Sequence, residues 1–319
     1  MDNQTVLVTG GTGSFGRKFV EILTKEYRPK KLIIFSRDEL KQSEMRAQFD
    51  DPCLRYFIGD VRDAERLKRA FYGVDMVVHA AAMKQVLACE YNPFEAILTN
   101  VIGAKNVIDA AIDQGVRKVL SISTDKAVNP INLYGATKLC AEKMFIQGNA
   151  YAADHDTIMS CSRYGNVMGS RGSVVPLFKK QSERGVVTIT DARMTRFWLT
   201  LDQGVRFVIR CLEIMKGGEV FIPKIPSVRV VDLAEAIAPG AKLDHIGALP
   251  GEKLHEALIS ADESRYAEAK EDMYVIHRPR ADQSAVHSGN RLPDGFSYVS
   301  DDNPDWLSVE QLRTMVEED

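Results

Sequence analysis

The chain has 319 residues and a formal net charge of −3, which argues against a protein that coats nucleic acid or anionic membrane, since both tasks need a strong positive excess. Apolar residues make up 45% and charged residues 27%, ordinary values for a globular protein with a full core. The five cysteines form no Cys-x-x-Cys pair and the six histidines no closely spaced pair, so we expect neither a disulfide framework nor a metal site. The sequence has no signal-peptide pattern and no apolar run of membrane-spanning length, so we expect a cytoplasmic protein with no membrane and no nucleic-acid partner.

Strand and helix signals alternate through the first half of the chain. The sequence predicts buried strands at Thr5–Thr9, Lys31–Ser36, Arg55–Ile58, Met76–His79 and Lys118–Ser123, with helices near Phe15–Lys25, Ala64–Phe71 and Pro93–Gln114. Continuous apolar strands that alternate with helices are typical of a parallel sheet covered on both faces. We therefore predict an α/β fold with a Rossmann-like, doubly wound parallel sheet.

The alternation loosens after about Asn166, where prolines and charged stretches become frequent. This change predicts a main domain of residues 1–165, joined by about 196–222, and a smaller C-terminal lobe of about 166–195 and 223–319. Within the main domain, Gly217–Ile222 is expected to return to the sheet. The polar stretch Asp282–Gly295 is expected to be loop.

A glycine-rich loop connects the first predicted strand to the first helix. In Thr9-Gly10-Gly11-Thr12-Gly13-Ser14-Phe15-Gly16, glycine recurs at every third position from Gly10. Glycine permits a tight turn and a close approach of the backbone to a pyrophosphate, and the helix N-terminus favours an anion. The pattern predicts dinucleotide binding, and the alternative is a plain glycine-rich connector. The predicted contacts are Gly10, Thr12, Gly13, Ser14, Phe15 and Gly16.

The end of the second strand indicates which dinucleotide is bound. An acidic residue there would hold the ribose 2′-hydroxyl of NAD, whereas this chain has Ser36 and Arg37. A hydroxyl and a guanidinium suit a 2′-phosphate, so the pattern favours NADP. The alternative is that Arg37 serves only a surface ion pair, because acidic residues follow it directly. The start of the next helix completes the predicted site with Asp38, Lys41 and Gln42.

A tyrosine and a lysine lie four residues apart at Tyr134 and Lys138, which places both side chains on one face of a helix. A nearby ammonium stabilises a phenolate and lowers the pKa of tyrosine. Tyr134 could then remove a proton from a hydroxyl while hydride leaves the same carbon. Ser123 and Thr124, at a strand end upstream, make the alternative of an ordinary amphipathic helix less favourable.

Together these residues resemble the extended short-chain dehydrogenase/reductases that act on nucleotide sugars. The similarity runs nearly end to end, and the segments that carry it are FSRDELKQSEMR (Phe35–Arg46), IGDVRD (Ile58–Asp63), EYNP (Glu90–Pro93), NPINLYGATKLC (Asn129–Cys140), RYGNVMGSRGSVVP (Arg163–Pro176), MTRFW (Met194–Trp198), IPKIPS (Ile222–Ser227), PGEKLHE (Pro250–Glu256) and WLS (Trp306–Ser308). The Asp125-Lys126 pair resembles the UDP-N-acetylglucosamine 4,6-dehydratase group, and the full set is most similar to its C5-inverting members, which open pseudaminic acid biosynthesis in bacteria. The resemblance implies that the main domain binds NADP, that the smaller lobe binds UDP-N-acetylglucosamine, and that the chain forms a homo-oligomer.

The reaction implied by this resemblance is redox-neutral and yields a UDP-2-acetamido-2,6-dideoxy-4-hexulose. Tyr134, supported by Lys138, takes the O4 proton while the C4 hydride leaves. The 4-ketone acidifies the C5 proton, which Lys126 removes. Asp125 assists departure of the C6 hydroxyl as water, and hydride returns to C6. The pKa of a free lysine is near 10.4, so the pKa of Lys126 must be lowered for this role, and we expect burial and neighbouring cations to lower it.

The resemblance implies further contacts in each half of the site. It assigns Asp60, Val61 and Ala81, together with Ser123, Thr124 and Lys138, to the cofactor. It assigns Lys84, Tyr134, Asn166, Val167, Arg171 and Arg196 to the sugar nucleotide, with Arg229 as an additional candidate for the diphosphate.

Three positions depart from the family pattern. Leu249 occupies the place of an arginine expected just before Pro-Gly-Glu-Lys, Leu87 replaces a proline, and Cys89 is unexpected. Loss of the arginine bears on diphosphate affinity or substrate identity. Two rival functions share the glycine loop: a sugar-nucleotide 4-epimerase or reductase, which has no need of Asp125-Lys126, and a non-catalytic dinucleotide-binding module, which has no need of Tyr134 and Lys138.

Overall fold

The computed structural model describes residues 1–152, 155–170, 173–278 and 290–318. Arg171 and most of the predicted loop Asp282–Gly295 lie outside the described residues. The strands are β1 (Thr5–Thr9), β2 (Lys31–Ser36), β3 (Leu54–Ile58), β4 (Met76–His79), β5 (Lys118–Ile122), β6 (Ile158–Ser162), β7 (Asn166–Val167), β8 (Val186–Ile189), β9 (Thr195–Leu199), β10 (Val220–Pro223), β11 (Ser227–Arg229), β12 (Lys242–His245), β13 (Ala257–Ile259), β14 (Ala267–Ala269), β15 (Met273–Ile276) and β16 (Tyr298–Val299). The helices are α1 (Ser14–Glu26), α2 (Glu39–Gln48), α3 (Ala64–Phe71), α4 (Val86–Tyr91), α5 (Pro93–Ile97), α6 (Gly103–Asp113), α7 (Leu133–Tyr151), α8 (Val174–Ser182), α9 (Leu201–Ile214), α10 (Val230–Ile237) and α11 (Val309–Glu318).

A nine-stranded sheet dominates the described part of the chain, in the order β14-β15-β10-β6-β5-β4-β1-β2-β3. The strands from β10 to β3 run parallel, and β15 and β14 add antiparallel to the β10 edge. The chain starts at β1 in the middle and moves outward in both directions, which is the doubly wound arrangement. The predicted Rossmann-like parallel sheet is therefore confirmed, as is the return of the segment around Val220 to it.

The predicted long helix Pro93–Gln114 is wrong in one respect, because it is interrupted. A π-helical turn, Leu98–Ile102, separates α5 from α6. The turn contains Asn100, whose buried amide bonds both backbone groups of Met83 at 2.8 and 2.9 Å and the Thr137 hydroxyl at 3.0 Å. A π turn interrupts the regular α-helical hydrogen bonding. Here it occurs where the Asn100 side chain connects the loop after β4 to helix α7 by hydrogen bonds. Periodicity alone cannot reveal such a turn.

Besides a small cluster of Cys89, Ala96 and Tyr134, two larger buried apolar clusters lie in the described residues. The larger one surrounds the nine-stranded sheet and includes Phe19, Phe35 and Phe145, but also Leu258 and Tyr298 from the last third of the chain. The smaller one joins α8, α10 and α11 around Trp198, Phe178 and Leu312. The division into a main domain and a C-terminal lobe stays a prediction, and the larger cluster draws on both proposed parts.

The described residues contain no helix that is long and apolar enough to cross a membrane. Within the same residues, no group of three or more His, Cys, Asp or Glu side chains could hold a metal ion. Each of the five cysteines has a free thiol.

Candidate active site

A pocket of about 880 Å³ opens at the carboxyl ends of the parallel strands, where ligands bind in doubly wound sheets. Most predicted site residues line it: Gly10, Thr12, Gly13, Ser14, Phe15, Ser36, Arg37, Asp38, Lys41, Asp60, Val61, Ala81, Lys84, Ser123, Thr124, Asp125, Lys126, Tyr134, Lys138, Asn166, Val167 and Arg196. Three described residues do not: Gly16, Gln42 and Arg229. The fold thus brings together residues that are widely separated in the sequence.

The glycine loop forms one end of the pocket. Gly10 has φ of +66°, and a Cβ there would lie 2.9 Å from the Cα of Ala81, so this position requires glycine. A Cβ at Gly16, one turn into α1, would overlap the backbone of Gly11. Helix α1 has Gly13 as its N-cap residue, with no side-chain cap and no acidic residue in its first turn. Backbone N–H groups at such a helix start suit a phosphate.

Hydrogen bonds from the Gln42 side chain fix the end of β2. The buried amide of Gln42 donates to the Ser36 hydroxyl at 3.0 Å and to the backbone oxygens of Ser36 and Phe57. Gln42 therefore positions Ser36 rather than lining the pocket. Arg37 is 58% exposed and lies 3.6 Å from the Asp60 carboxylate, which suits either a mobile phosphate contact or the surface ion pair of the alternative interpretation.

A buried histidine lies under this end of the pocket. The Nδ1 of His79 is 2.8 Å from the Thr9 hydroxyl oxygen, which also accepts from the Ala81 N–H at 3.2 Å. Burial, together with a smaller effect of the Lys138 ammonium, lowers the pKa of His79 to about 3. The ring is therefore neutral near pH 7, and it fixes the spacing between β1 and the turn after β4.

Asp125 and Lys126 form a short 3-10 turn directly after β5. The Asp125 carboxylate is buried and its Oδ1 accepts from the Thr124 hydroxyl at 2.9 Å and from the Lys126 ammonium at 3.1 Å. A Cβ at Gly135, in the first turn of α7, would overlap the Lys126 carbonyl oxygen. The small residue after Tyr134 therefore lets the Asp125-Lys126 turn lie against the helix that carries the tyrosine.

Sequence reasoning gave no role to Glu256, which the structure brings into the same cluster. Its side chain is 2% exposed, and its Oε1 lies 3.1 Å from the Lys126 Nζ. Burial and the Asp125 carboxylate raise the pKa of Glu256, and the Lys126 ammonium opposes them. The only sequence signal was its position at the end of the family-matching segment PGEKLHE, where a glutamate is easily taken for surface.

The electrostatic state of Lys126 differs from the expectation. Burial by itself lowers the pKa of Lys126, but the carboxylates of Asp125 and Glu256 outweigh it, and the pKa is raised. We expected a lowered pKa because the second carboxylate was not foreseen. Burial raises the pKa of Tyr134 to about 12, against the opposing effects of the Lys126 ammonium and the Thr124 hydroxyl. Burial lowers the pKa of Lys138.

The far end of the pocket carries fewer cations than the sequence led us to expect. Arg196 lines the pocket, but its Nη1 donates to the backbone oxygens of Thr195 and Leu254 at 2.7 and 2.9 Å. Arg229 lies outside the pocket, with its guanidinium 5.7 Å from the centre of the Trp306 ring. Leu249 lines the pocket, so an apolar side chain occupies a wall where relatives are expected to carry an arginine.

Several buried polar atoms of the pocket wall have no hydrogen-bond partner within the described residues: Asp125 Oδ2, Glu256 Oε2, Asn166 Oδ1, Ser173 Oγ, Thr99 Oγ1 and Trp198 Nε1. An unpartnered buried polar atom costs free energy of about 1–3 kcal/mol. Such atoms are concentrated in this one pocket, which indicates a polar ligand that supplies their partners.

Residues 6–278 match the family described as polysaccharide biosynthesis protein. The chain belongs to this family. It is 51% identical over 326 aligned positions to the UDP-N-acetylglucosamine 4,6-dehydratase (inverting) of Campylobacter jejuni, covering 99% of this chain and 98% of that protein. It is 43% identical to the UDP-glucose 4-epimerase of Rickettsia conorii, covering 86% and 83% of the two chains. The X-ray structure of Pen from Bacillus thuringiensis superposes with a TM-score of 0.91 at 40% identity, covering 99% and 98%. The fold is that of the short-chain dehydrogenase/reductases.

Proposed function

We propose that the protein is an NADP-dependent UDP-N-acetylglucosamine 4,6-dehydratase that inverts C5 and opens pseudaminic acid biosynthesis in the cytoplasm. The observation that carries the proposal is the cluster of Tyr134, Asp125 and Lys126 at one point of the pocket, beside a glycine loop fit for a dinucleotide. The full-length similarity to the Campylobacter enzyme supports the choice of substrate and of stereochemistry.

The cofactor end has the features that a dinucleotide requires. Gly10 and Gly13 leave room for a pyrophosphate beside the uncapped start of α1. Ser36 and Arg37 would face a 2′-phosphate, which is the basis for proposing NADP rather than NAD. When bound, the nicotinamide would accept a hydride from C4 of the sugar and return it to C6.

The chain's own residues would perform the proton transfers. Tyr134, a buried tyrosine of the pocket wall, would take the O4 proton during C4 oxidation. The nearby Lys126 ammonium and the Thr124 hydroxyl favour its phenolate form. Lys126 would remove the C5 proton that the 4-ketone acidifies. Asp125, buried at the same turn, would first have to take up a proton, for which the Thr124 hydroxyl links it to Tyr134, and would then give that proton to the departing C6 oxygen. Adjacent residues then act on adjacent carbons, which is the geometry that elimination needs.

The sugar nucleotide would extend from this cluster toward the second end of the pocket. Lys84, Asn166, Val167 and Arg196 line the pocket and would hold the sugar nucleotide, and the unpartnered Asn166 Oδ1 would accept from the ligand. Arg171 remains a proposed diphosphate contact outside the described residues, and Arg229 would have to leave Trp306 to contribute. The exposed apolar side chains of Tyr91, Phe94 and Leu98 support the proposed homo-oligomer.

A 4-epimerase is the competing function, since a 43% identical relative bears that name. Incubation of the purified protein with UDP-N-acetylglucosamine separates the two. We expect a product lighter by one water molecule, and proton NMR in D₂O should show deuterium at an inverted C5. A product of unchanged mass would contradict dehydration and favour the epimerase. Retention at C5 would contradict only the stereochemical part.

A further inference from the structure

The Lys126 ammonium contacts two carboxylates, that of Asp125 and that of Glu256. The Lys126 Nζ lies 3.1 Å from Asp125 Oδ1 and 3.1 Å from Glu256 Oε1. Both carboxylate side chains are almost completely buried, at 1% and 2% exposure. The Lys126 side chain is 24% exposed, so one carboxylate suffices to balance its charge, and a second carboxylate that is almost completely buried carries a desolvation penalty of several kcal/mol.

The surroundings of Glu256 leave one of its oxygens available. Oε2 has no hydrogen-bond partner in the described part of the chain, and the Lys253 ammonium lies 3.9 Å from it. Lys253 itself donates to the Val128 carbonyl at 2.5 Å. A carboxylate that is held on one side by Lys126 and is unpartnered on the other can gain a proton without breaking another hydrogen bond.

We propose that Glu256 is a positioning residue for dehydration: it takes up the proton that Lys126 must lose before its amine can act as a base. In this step one N–H bond of the Lys126 ammonium breaks and an O–H bond forms on Glu256, leaving the electron pair on Nζ. That pair then accepts the C5 proton. The inference rests on the proposed function, because it explains how Lys126 becomes a base despite two adjacent carboxylates.

Other charged groups face Lys126 and set the balance of this transfer. They are the carboxylate of Asp125, the cations Arg196 and Lys253, and the phenol of Tyr134. The two carboxylates favour the ammonium form of Lys126, and the two cations favour the neutral amine. Since the transfer stays inside the cluster, the fraction of neutral Lys126 does not depend on bulk pH while the cluster holds the same number of protons.

The first test is the pH dependence of the Glu256→Gln variant. At pH 7 we expect kcat for dehydration and C5 deuterium exchange to fall about a hundredfold, an ordinary size for loss of an acid–base partner. KM for UDP-N-acetylglucosamine should change less than about twofold, and transient reduction of the nicotinamide should persist. Between about pH 7 and 9 the variant's kcat should rise about tenfold per unit, because Lys126 then loses its proton only to solvent.

Wild-type kcat should stay level over the same pH range, and Glu256→Asp should restore part of the rate. A Glu256→Gln variant that is slower but keeps a level pH profile would show a purely structural role and overturn the inference. A variant with wild-type kcat would overturn it as well.

A second test does not need the dehydratase reaction. Competitive labelling of the purified protein with acetic anhydride, read by peptide mass spectrometry, reports the pKa of Lys126 directly. Removing the Glu256 carboxylate should make Lys126 reactive at lower pH, by at least about one unit. The matched control is Glu252→Gln, on the same loop, whose carboxylate accepts from the Leu249 N–H and which should leave Lys126 labelling unchanged. If the wild type dehydrates no sugar nucleotide but this shift is seen, the proposed function fails and the proton coupling stands; an unchanged Lys126 pKa overturns the coupling.

Discussion

At the cofactor end of the pocket, the glycine loop and the segment from Ser36 to Gln42 are short stretches that directly follow strands β1 and β2, whereas the sugar end joins segments far apart in the chain. Gly10 through Phe15 are consecutive, and Gln42 holds Ser36 across only six positions. At the other end, the Lys253 ammonium bonds the Val128 carbonyl across 125 positions, and Glu256 reaches Lys126 from the same loop. Local backbone geometry therefore builds one end, and long-range packing builds the other. We expect substitutions to separate accordingly into effects on cofactor affinity and effects on turnover.

The largest effect is expected at the junction of the two ends. Tyr134→Phe removes the proposed acceptor of the O4 proton and should lower kcat by about a thousandfold, within the range for acid–base groups. Lys126→Ala should abolish dehydration and C5 exchange while cofactor affinity stays near wild type. Steady-state kinetics and fluorescence titration with NADP measure both quantities. Near-normal turnover of Lys126→Ala would show that Lys126 is not the base.

Gly10→Ala tests the backbone geometry of the cofactor end. The new Cβ meets the Ala81 backbone at 2.9 Å, so we expect the Kd for the dinucleotide to rise about tenfold to a hundredfold. Gly115→Ala is the matched control, because Gly115 has a similar φ of +67° but no atom near its Cβ. It should cost stability of about 1–2 kcal/mol with unchanged cofactor affinity. Equal effects of the two variants on Kd would contradict a special role for Gly10.

His79 predicts acid sensitivity that originates beneath the cofactor end. Its folded-state pKa of about 3 lies below the unfolded value of 6.5, so the unfolded chain binds a proton first as pH falls. Above about pH 6.5 the neutral ring makes its full contribution to the free energy of unfolding. As the pH falls toward 3, this contribution decreases by about 1.4 kcal/mol per pH unit. Between pH 6.5 and 4 the free energy of unfolding should therefore fall by about 3 kcal/mol more in the wild type than in His79→Asn. Urea titrations at several pH values measure this, and parallel pH dependences would refute it.

Arg37→Asp addresses the choice between dinucleotides. A carboxylate at this place should repel a 2′-phosphate and accept from a ribose hydroxyl, so the ratio of Kd values should shift toward NAD by at least about tenfold. Titration of the purified, cofactor-free protein with both dinucleotides gives the ratio. A wild-type protein that prefers NAD would contradict the interpretation of Ser36 and Arg37, and would leave Arg37 as the partner of Asp60.

The smallest effect is expected at Leu249, in the wall of the sugar end. Leu249→Arg would add a charge-assisted contact to the diphosphate and should lower KM for UDP-N-acetylglucosamine about tenfold, with little change in kcat. Arg229→Ala is the companion variant. A raised KM would show that Arg229 leaves Trp306 to reach the phosphates, and an unchanged KM would limit the diphosphate site to the pocket wall. No effect of either substitution would mean that the phosphates lie elsewhere.

The same contrast explains how much the sequence could predict. The alternation of parallel strands and helices, the glycine loop and the Tyr134–Lys138 helix each follow from patterns within about thirty residues, because βαβ units are local. The interruption at Leu98–Ile102 and the approach of Glu256 to Lys126 depend on tertiary contacts, and no local pattern encodes them. The raised pKa of Lys126 was missed for the same reason, since its sign depends on a carboxylate from another part of the chain.

Strands β15 and β14 extend one side of the large sheet, where β15 pairs with β10, which in turn pairs with β6. A fragment that ended near residue 165 would leave the β6 edge with a row of unpaired backbone groups. Such open edges are templates for intermolecular pairing. Removal of the residues after about 165, nearly half of the chain, should therefore yield an aggregating fragment rather than an isolated cofactor-binding unit.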